Sequence, residues 1–547
     1  MSIATQPEPV RDPFAKSKDR FDQLAAWAGG PAAEALDHDR LEEQSVAHLM
    51  ELGRQVLQDH YDLRLERERL APPPEQGKRR VRARDLETIY GTVQVSRMAV
   101  VAALVEPPVD ACPAAAVASA SSTPSASPEV QHKRPPQVAT MPMDRALSLP
   151  AQRYSLPVQW RVVQFALDTS YDRAGHTLAT ATAAHVPKRQ RIEVIERVAQ
   201  DYEAFYETFE RPANDTMGPK TLLVSTTDGK GMRMRPEGLR DDTRKLAEAE
   251  HQEAVKGDPL APRKARTHDR RMAQLGAVYE QEPLRRRPKD ILRELMAPAR
   301  RGKPNAKRAK STRKGPKRSR RRELPRPQNR RFLGSLKDDT ATVILKVFAE
   351  AQARDPEHRQ PWVMLVDGQE HAMAVIHAEA ERLHVALTIV VDLLHVQHYL
   401  WIAAKALFPQ RAREAREWVG ARLMGLLTSA PMEVIAGIRR SATLRGAEGE
   451  TRKAVDLCAN YLEKNVVGIA YAEFLKRGLP IATGVIEGAC RHLVQDRMNL
   501  SGARWGLDGG EAMLKLRLLD ASGHLDLYRF FHARREHQRN YPKDEAG

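Results

Sequence analysis

Three apolar runs in this 547-residue chain end in an aspartate: "TLLVSTTD" at Asp228, "WVMLVD" at Asp367 and "VALTIVVD" at Asp392. In an open α/β sheet ligands bind beyond the carboxyl ends of the strands, so acids far apart in sequence can converge there. A fourth acid, Glu487 in "ATGVIEGACRHLV", stands near the start of a helical pattern. Carboxylates from strands and a helix are the donors that Mg²⁺ or Mn²⁺ requires. Two such ions about 3.5–4 Å apart stabilise the attacking and leaving oxygens of a phosphodiester displacement.

Each acid also has a structural reading. Asp228 and Asp367 both precede glycine (Gly229, Gly368), and Asp-Gly is a strong turn signal, so "LVSTTDGKG" reads as a strand ending at Asp228 with a hairpin turn at Gly229. Asp392 could cap the helix carrying "LLHVQHYLW". A capping box from Thr483 would place its acid at position 486, which is Ile486, so Glu487 is one residue out of register for that role. It could still favour the helix dipole or pair with Arg491. Asp392, His395 and His398 could ligate a metal, or their spacing could be one packed helix face.

The elements that must hold these residues follow from periodicity. Residues Phe21 to Leu70 are helical in pattern, and "LETIYGTVQVSRMAVV" alternates on both sides of Gly91 as a hairpin would. Residues 1–104 therefore read as an N-terminal helical and hairpin module, and 105–148, rich in Ala, Ser and Pro, as a linker. Residues 149–216 are helical, with a break near Pro187 and a basic second helix compatible with helix-turn-helix DNA binding or with ordinary packing. Residues 217–395 alternate buried strands, including Met272 to Gln281, with helices such as Thr340 to Ala353, which implies a sheet at least partly parallel. Residues 396–480 are helical throughout, and 481–547 open with the helix carrying Glu487.

The formal charge of +17 is concentrated. Between Arg300 and Arg331 stand 16 Lys or Arg against one acid, Glu323. Such a run buries too little apolar surface to order itself, and a polyphosphate backbone is its natural counterion, so residues 299–332 read as a disordered basic insertion facing nucleic acid. Three distant cysteines, Cys112, Cys458 and Cys490, argue against a disulfide framework or a cysteine zinc site and fit a reducing compartment. No run approaches 18 apolar residues, and "MSIATQPEPVRDPF" has acids and prolines where a signal peptide would have an apolar core. The expected location is cytoplasmic.

The segments "VSTTDGKGM", "WVMLVDGQEHAMAVI", "VVDLLHVQHYLW" and "GLPIATGVIEGACRHLVQDRMNLSGARW", in this order, resemble the ISKra-type bacterial insertion-sequence transposases. The resemblance covers roughly Leu149 to Pro542. It implies an α/β fold: an RNase H-like mixed-sheet catalytic core with a helical insertion, beside a mainly helical N-terminal region. It also implies a triad of Asp228, Asp367 and Glu487, acting as catalytic residues and as ligands of two Mg²⁺ or Mn²⁺ ions. In the RNase H-like order three antiparallel strands and a helix precede a fourth strand whose end carries the second acid. Asp367 fits that place better than Asp392, which with His395 matches an accessory Asp-x-x-His element.

The implied activity is cleavage of transposon ends followed by strand transfer, on double-stranded DNA and by a homo-oligomer assembled on it, at the bacterial nucleoid. Arg491, Arg497 and Arg504, near the Glu487 helix, and Arg320, Arg321 and Arg322 in the basic tract would hold DNA phosphates. Trp401 and Trp505 could stack on an unpaired base or pack in the core. A non-catalytic DNA-binding protein and an RNase H-like nuclease without strand transfer are the alternatives. A small-molecule α/β enzyme is disfavoured, because no Gly-rich phosphate fingerprint follows any strand.

Overall fold

The computed structural model describes residues 12–72, 78–101, 139–211, 220–256, 268–297, 325–482, 484–500 and 502–542. The chain divides into two compact units, residues 1–166, 171–194 and 529–547 in one and residues 167–170 and 195–528 in the other. No helix among the described residues is long and apolar enough to cross a membrane.

In the first unit the long helix His38–Leu70 packs on a hairpin of β1 (Lys78–Thr88) and β2 (Gly91–Val101). The alternation in β2 turns Val93 and Val95 inward, where they meet Tyr61, Leu65, Leu86, Met143 and Leu149. Gly91 closes the hairpin at φ +102°, a conformation glycine adopts without strain. A two-residue strand, β3 (Ala139–Thr140), pairs with β2, and the helix Pro142–Ala146 follows it, so the end of the stretch read as a linker is built into this unit. Residues 105–138 of that stretch lie outside the described residues.

The helices Tyr171–Ala181 and Lys188–Ala199 flank the expected break near Pro187. The basic side chains opening the second are engaged by neighbours: Lys188 with Asp172 at 2.6 Å, Arg189 with Glu193 at 3.1 Å, and Arg191 with the Val186 carbonyl at 2.8 Å.

The second unit is built on a five-stranded mixed sheet. Its strands are β4 (Leu222–Arg233), β5 (Arg270–Gln281), β6 (Gln328–Ser335), β7 (Trp362–Val366) and β8 (Leu387–Val391), and their spatial order is β6-β5-β4-β7-β8. The pairs β4/β5 and β5/β6 are antiparallel, and β4/β7 and β7/β8 are parallel. Every residue of β7 is buried, as a central parallel strand requires. The helix Thr340–Arg354 packs on β4, β5 and β6, and it comes close because Gly276 has no side chain: a Cβ there would stand 2.4 Å from Val347 Cγ2. Five helices between Leu393 and Arg477 form the expected helical segment.

The basic insertion needs a correction at its end. Residues 328–332, assigned to disordered chain, belong to β6, where Phe332 is buried and Arg331 nearly so. The physical reason is Glu350, a buried carboxylate on the helix Thr340–Arg354. It accepts hydrogen bonds from Arg331, from Arg354 at 2.8 Å and from Arg211 at 2.9 Å. Arg331 also lies over the Tyr206 ring at 3.7 Å. Residues 299–324, with Arg320, Arg321 and Arg322, lie outside the described residues.

Burial pushes the Glu350 carboxyl up, but Arg331, Arg354 and Arg211 outweigh it and hold the group below its ordinary value of 4.5. A carboxyl with a depressed folded-state pKa contributes stability above its unfolded value, and that contribution is lost as pH falls through the folded value. Glu350→Gln is therefore expected to lower stability at pH 7 by roughly 3–5 kcal/mol, the scale of breaking a buried charge pair. It should also flatten the acid limb of the stability profile, and urea unfolding of both proteins at pH 7 and pH 3 measures both effects.

Candidate active site

The parallel ladders align the aspartates. In β4/β7, Leu223 pairs with Trp362 and Thr226 with Leu365, and the same offset carried two residues further brings Asp228 beside Asp367. In β7/β8, Val366 pairs with Val391, and the next step brings Asp367 beside Asp392. The Asp392 N–H donates to the Val366 carbonyl at 2.8 Å, so the alignment persists past the last paired residues. The register thus lines up three acids just past the ends of ladders whose strands are spaced about 4.8 Å apart.

Asp228 does not end its strand. β4 continues to Arg233, and Asp228 pairs with Leu275 of β5 inside the ladder, so the hairpin turn expected at Gly229 is corrected to continuous strand. A long partner strand pairs β4 along its whole length here, which outweighs the local preference of Asp-Gly for a turn. One Asp228 oxygen accepts the Gly229 N–H at 2.7 Å, and the other accepts the Cys490 thiol at 3.2 Å. Asp367 follows the end of β7 and accepts the Gln369 N–H at 3.0 Å. Asp392 is buried and caps the helix Leu393–Leu407 by accepting the Leu394 N–H at 2.9 Å. His395 and His398 lie exposed on that helix.

Glu487 is exposed in the short helix Gly484–Ala489, which packs on β4 and β5. Cys490, three residues on, is buried on the same side of the helix and donates to Asp228. Burial pushes its thiol pKa up, and Asp228 and Glu487 add to the shift, so the thiol stands within the field of both acids and remains a donor. This contact escaped the sequence reading; a cysteine one turn after the acid in "IEGAC" is the signal that could have found it.

The helix that carries Glu487 changes form where it meets the sheet. Residues Cys490–Gln495 make a π-helical turn, and α-helix resumes at Asp496–Met498. The carbonyls of that turn are met by buried Arg517, which donates to Leu493 O at 3.0 Å and to His492 O, and which also pairs with Asp168 at 3.3 Å. A π-turn widens the helix by one residue and re-aims the side chains before it, which is one reason such turns recur at functional sites.

The arginines expected to hold DNA separate into two groups. Arg491 is exposed, and it lies 3.7 Å from Asp496 rather than pairing with Glu487. Arg504 is exposed. Arg497 is only 2 % exposed, so its expected phosphate contact is corrected to a core position: its guanidinium lies 5.0 Å from the Trp505 ring. Trp505 is itself buried, with its indole N–H on the Met498 carbonyl at 2.8 Å, so it packs in the core and does not stand free to stack on a base.

The register therefore lines up Asp228 with Asp367 and Asp367 with Asp392, and the helix carrying Glu487 meets Asp228 through Cys490. Among the described residues, no group of three or more His, Cys, Asp or Glu side chains is arranged to hold a metal ion. Two cavities of about 640 and 520 Å³ lie in this unit, and neither is lined by Asp228, Asp367 or Glu487, although Leu393 beside Asp392 and Gly484 and Val485 of the Glu487 helix border the second. Arg517→Met is expected to strand the His492 and Leu493 carbonyls and to cost roughly 1–3 kcal/mol, the penalty for unmet buried acceptors; a urea unfolding curve against the parent protein checks it.

No protein-family model matches the chain, and no curated protein matches its sequence, so the functional reading stands on the residues and their geometry.

Proposed function

We propose that the chain is a DNA transposase of an insertion sequence, which binds transposon ends and carries out metal-dependent DNA cleavage and strand transfer. The observation that carries this reading is the row of Asp228 and Asp367 across the central parallel pair β4/β7 of a sheet ordered β6-β5-β4-β7-β8. Three antiparallel strands, a helix and then a strand ending in the second acid is the order that an RNase H-like core requires. The place of Asp367 at the end of the fourth strand favours it over Asp392 as the second acid, and Asp392 is buried whereas Asp367 is partly exposed.

The donor set fits hard cations in its chemistry, because it consists of carboxylate oxygens with lone pairs to spare. Asp228, Asp367 and Glu487 would hold Mg²⁺ or Mn²⁺, with water and a DNA phosphate completing the coordination shells. When bound, two such ions supply Lewis-acid stabilisation of the attacking and leaving oxygens. The chain's own part is to hold its acids. The Gly229 N–H and the Cys490 S–H fix both oxygens of Asp228, and the β4/β7 ladder sets the register that leads to Asp367. In the reaction a water oxygen bonds to phosphorus and the P–O3′ bond breaks, which frees a 3′-hydroxyl. That hydroxyl oxygen then bonds to the phosphorus of a target phosphodiester as the target's own P–O3′ bond breaks, which joins the end to the target and releases a target 3′-hydroxyl.

Two further features favour a polymer over a small molecule. The acid row is not enclosed in either cavity, and 15 basic residues against one acid precede β7 in the segment from Arg300 to Arg330. The test uses DNA carrying the sequences that flank the gene, with Mg²⁺ or Mn²⁺. The protein should nick the ends and join them to a plasmid. Asp228→Asn should retain DNA binding and lose about 10³-fold or more in cleavage rate, the scale of losing a principal electrostatic group of a transition state. Cleavage by Asp228→Asn at the parent rate refutes the assignment, and hydrolysis without joining reassigns the chain to a nuclease.

A further inference from the structure

Both parallel strands that bring acids to the row end under tyrosines from the helical segment. The Tyr461 hydroxyl, on the helix Gly449–Lys464, donates to the main-chain carbonyl of Asp367 at 2.7 Å. The Tyr471 hydroxyl, on the helix Tyr471–Arg477, donates to the carbonyl of Val391, the residue before Asp392, also at 2.7 Å.

Tyr461 is itself held rigidly. Its ring stacks on Tyr399, with centroids 3.9 Å apart and planes 16° from parallel, and Tyr399 belongs to the helix that Asp392 caps. Asn465, one turn after Tyr461, donates to the Tyr461 carbonyl at 2.9 Å. Its side chain fills the space beside Gly368, where a Cβ would stand 2.9 Å from Asn465 Oδ1. Gly368 has φ +80°, so the chain leaving Asp367 turns sharply against this wall.

We infer that Tyr461 is a positioning residue for Asp367: its hydroxyl, braced by Tyr399 and Asn465, fixes the main chain at the second acid and thereby couples the helical segment to the carboxylate row. The role in metal binding rests on the proposed function above, whereas the role in ordering residues 367–369 does not. A single unbranched contact from a ring that cannot swing is well suited to this. Asp367 lies beyond the last paired residue of β7, where the ladder no longer restrains it.

The experiment compares the full chain with Tyr461→Phe, which keeps the stacked ring and removes only the hydroxyl, and with Tyr461→Ala, which removes both. Hydrogen exchange is followed at the amides of Gly368 and Gln369, and Mn²⁺ binding is followed by calorimetry. Tyr461→Phe is expected to speed exchange at these amides about fivefold, the scale of one lost hydrogen bond. It should raise the Mn²⁺ concentration for half-saturation about tenfold, as loss of a group that orients a metal ligand does. The inference is overturned if Tyr461→Phe matches the parent in exchange while Tyr461→Ala does not, because the ring then only packs. If the parent chain binds no Mn²⁺ while Tyr461→Phe still speeds exchange, the positioning role stands and the metal-dependent reading of the site falls.

Discussion

The parallel pairing of β4, β7 and β8 is the constraint on which the carboxylate row depends. Side chains alternate along a strand, so a slip of one residue in β7 would put Val366 in the row and move Asp367 out of it. Several contacts hold the register. The Leu223 N–H donates to the Pro361 carbonyl at 3.1 Å before the ladder begins, and the Trp362 indole N–H donates to the buried Asp355 carboxylate at 2.9 Å. At the other end, the Asp392 N–H on Val366 closes the ladder. The strand between these anchors is five apolar residues with no exposed face, so a slip that carries any of them past the edge of the sheet costs burial.

The strands of this ladder were legible because burial on both faces leaves a plain mark, a short apolar run bounded by polar residues. Leu223 to Thr226 and Trp362 to Val366 carry that mark, Leu387 to Val391 is as apolar although buried fully only at Val390 and Val391, and the acids after all three were visible for the same reason. β6 carries no such mark. Its sequence, "QNRRFLGS", is polar at one end and glycine-bearing at the other, and it becomes a strand because β5 offers an unpaired edge and Glu350 offers a buried counter-charge to Arg331. Such partners lie 19 and more residues away and cannot be inferred from composition.

The same limit explains the arginines. A basic residue near an acidic site suggests phosphate contact, yet Arg497 and Arg517 are buried by structure that composition does not announce: a tryptophan eight residues on for one, and a π-helical turn for the other. Burying a guanidinium is costly unless its donors find acceptors. Arg517 finds two carbonyls that a regular α-helix would have used internally, so the π-turn and the buried charge stabilise each other. Either feature alone would be unfavourable, and neither is visible without the other.

The Asp228-Gly229 pair shows how a local signal changes meaning in a long-range context. As a dipeptide it favours a turn, and in the fold it lies inside a twelve-residue strand. Glycine there serves close approach instead: a Cβ at Gly229 would stand 3.0 Å from Met272 Cε and 3.4 Å from Gln274 Oε1. The carboxylate before it loses the backbone partners a turn would supply and takes one N–H from Gly229 and one S–H from Cys490. Because that second donor sits on the helix carrying Glu487, the orientation of the first acid and the position of the last are set by one contact, and a π-turn held by Arg517 sets the contact. The geometry of the row is therefore not a property of the sheet alone: the strands set the spacing, and the helices packed on them set the aim.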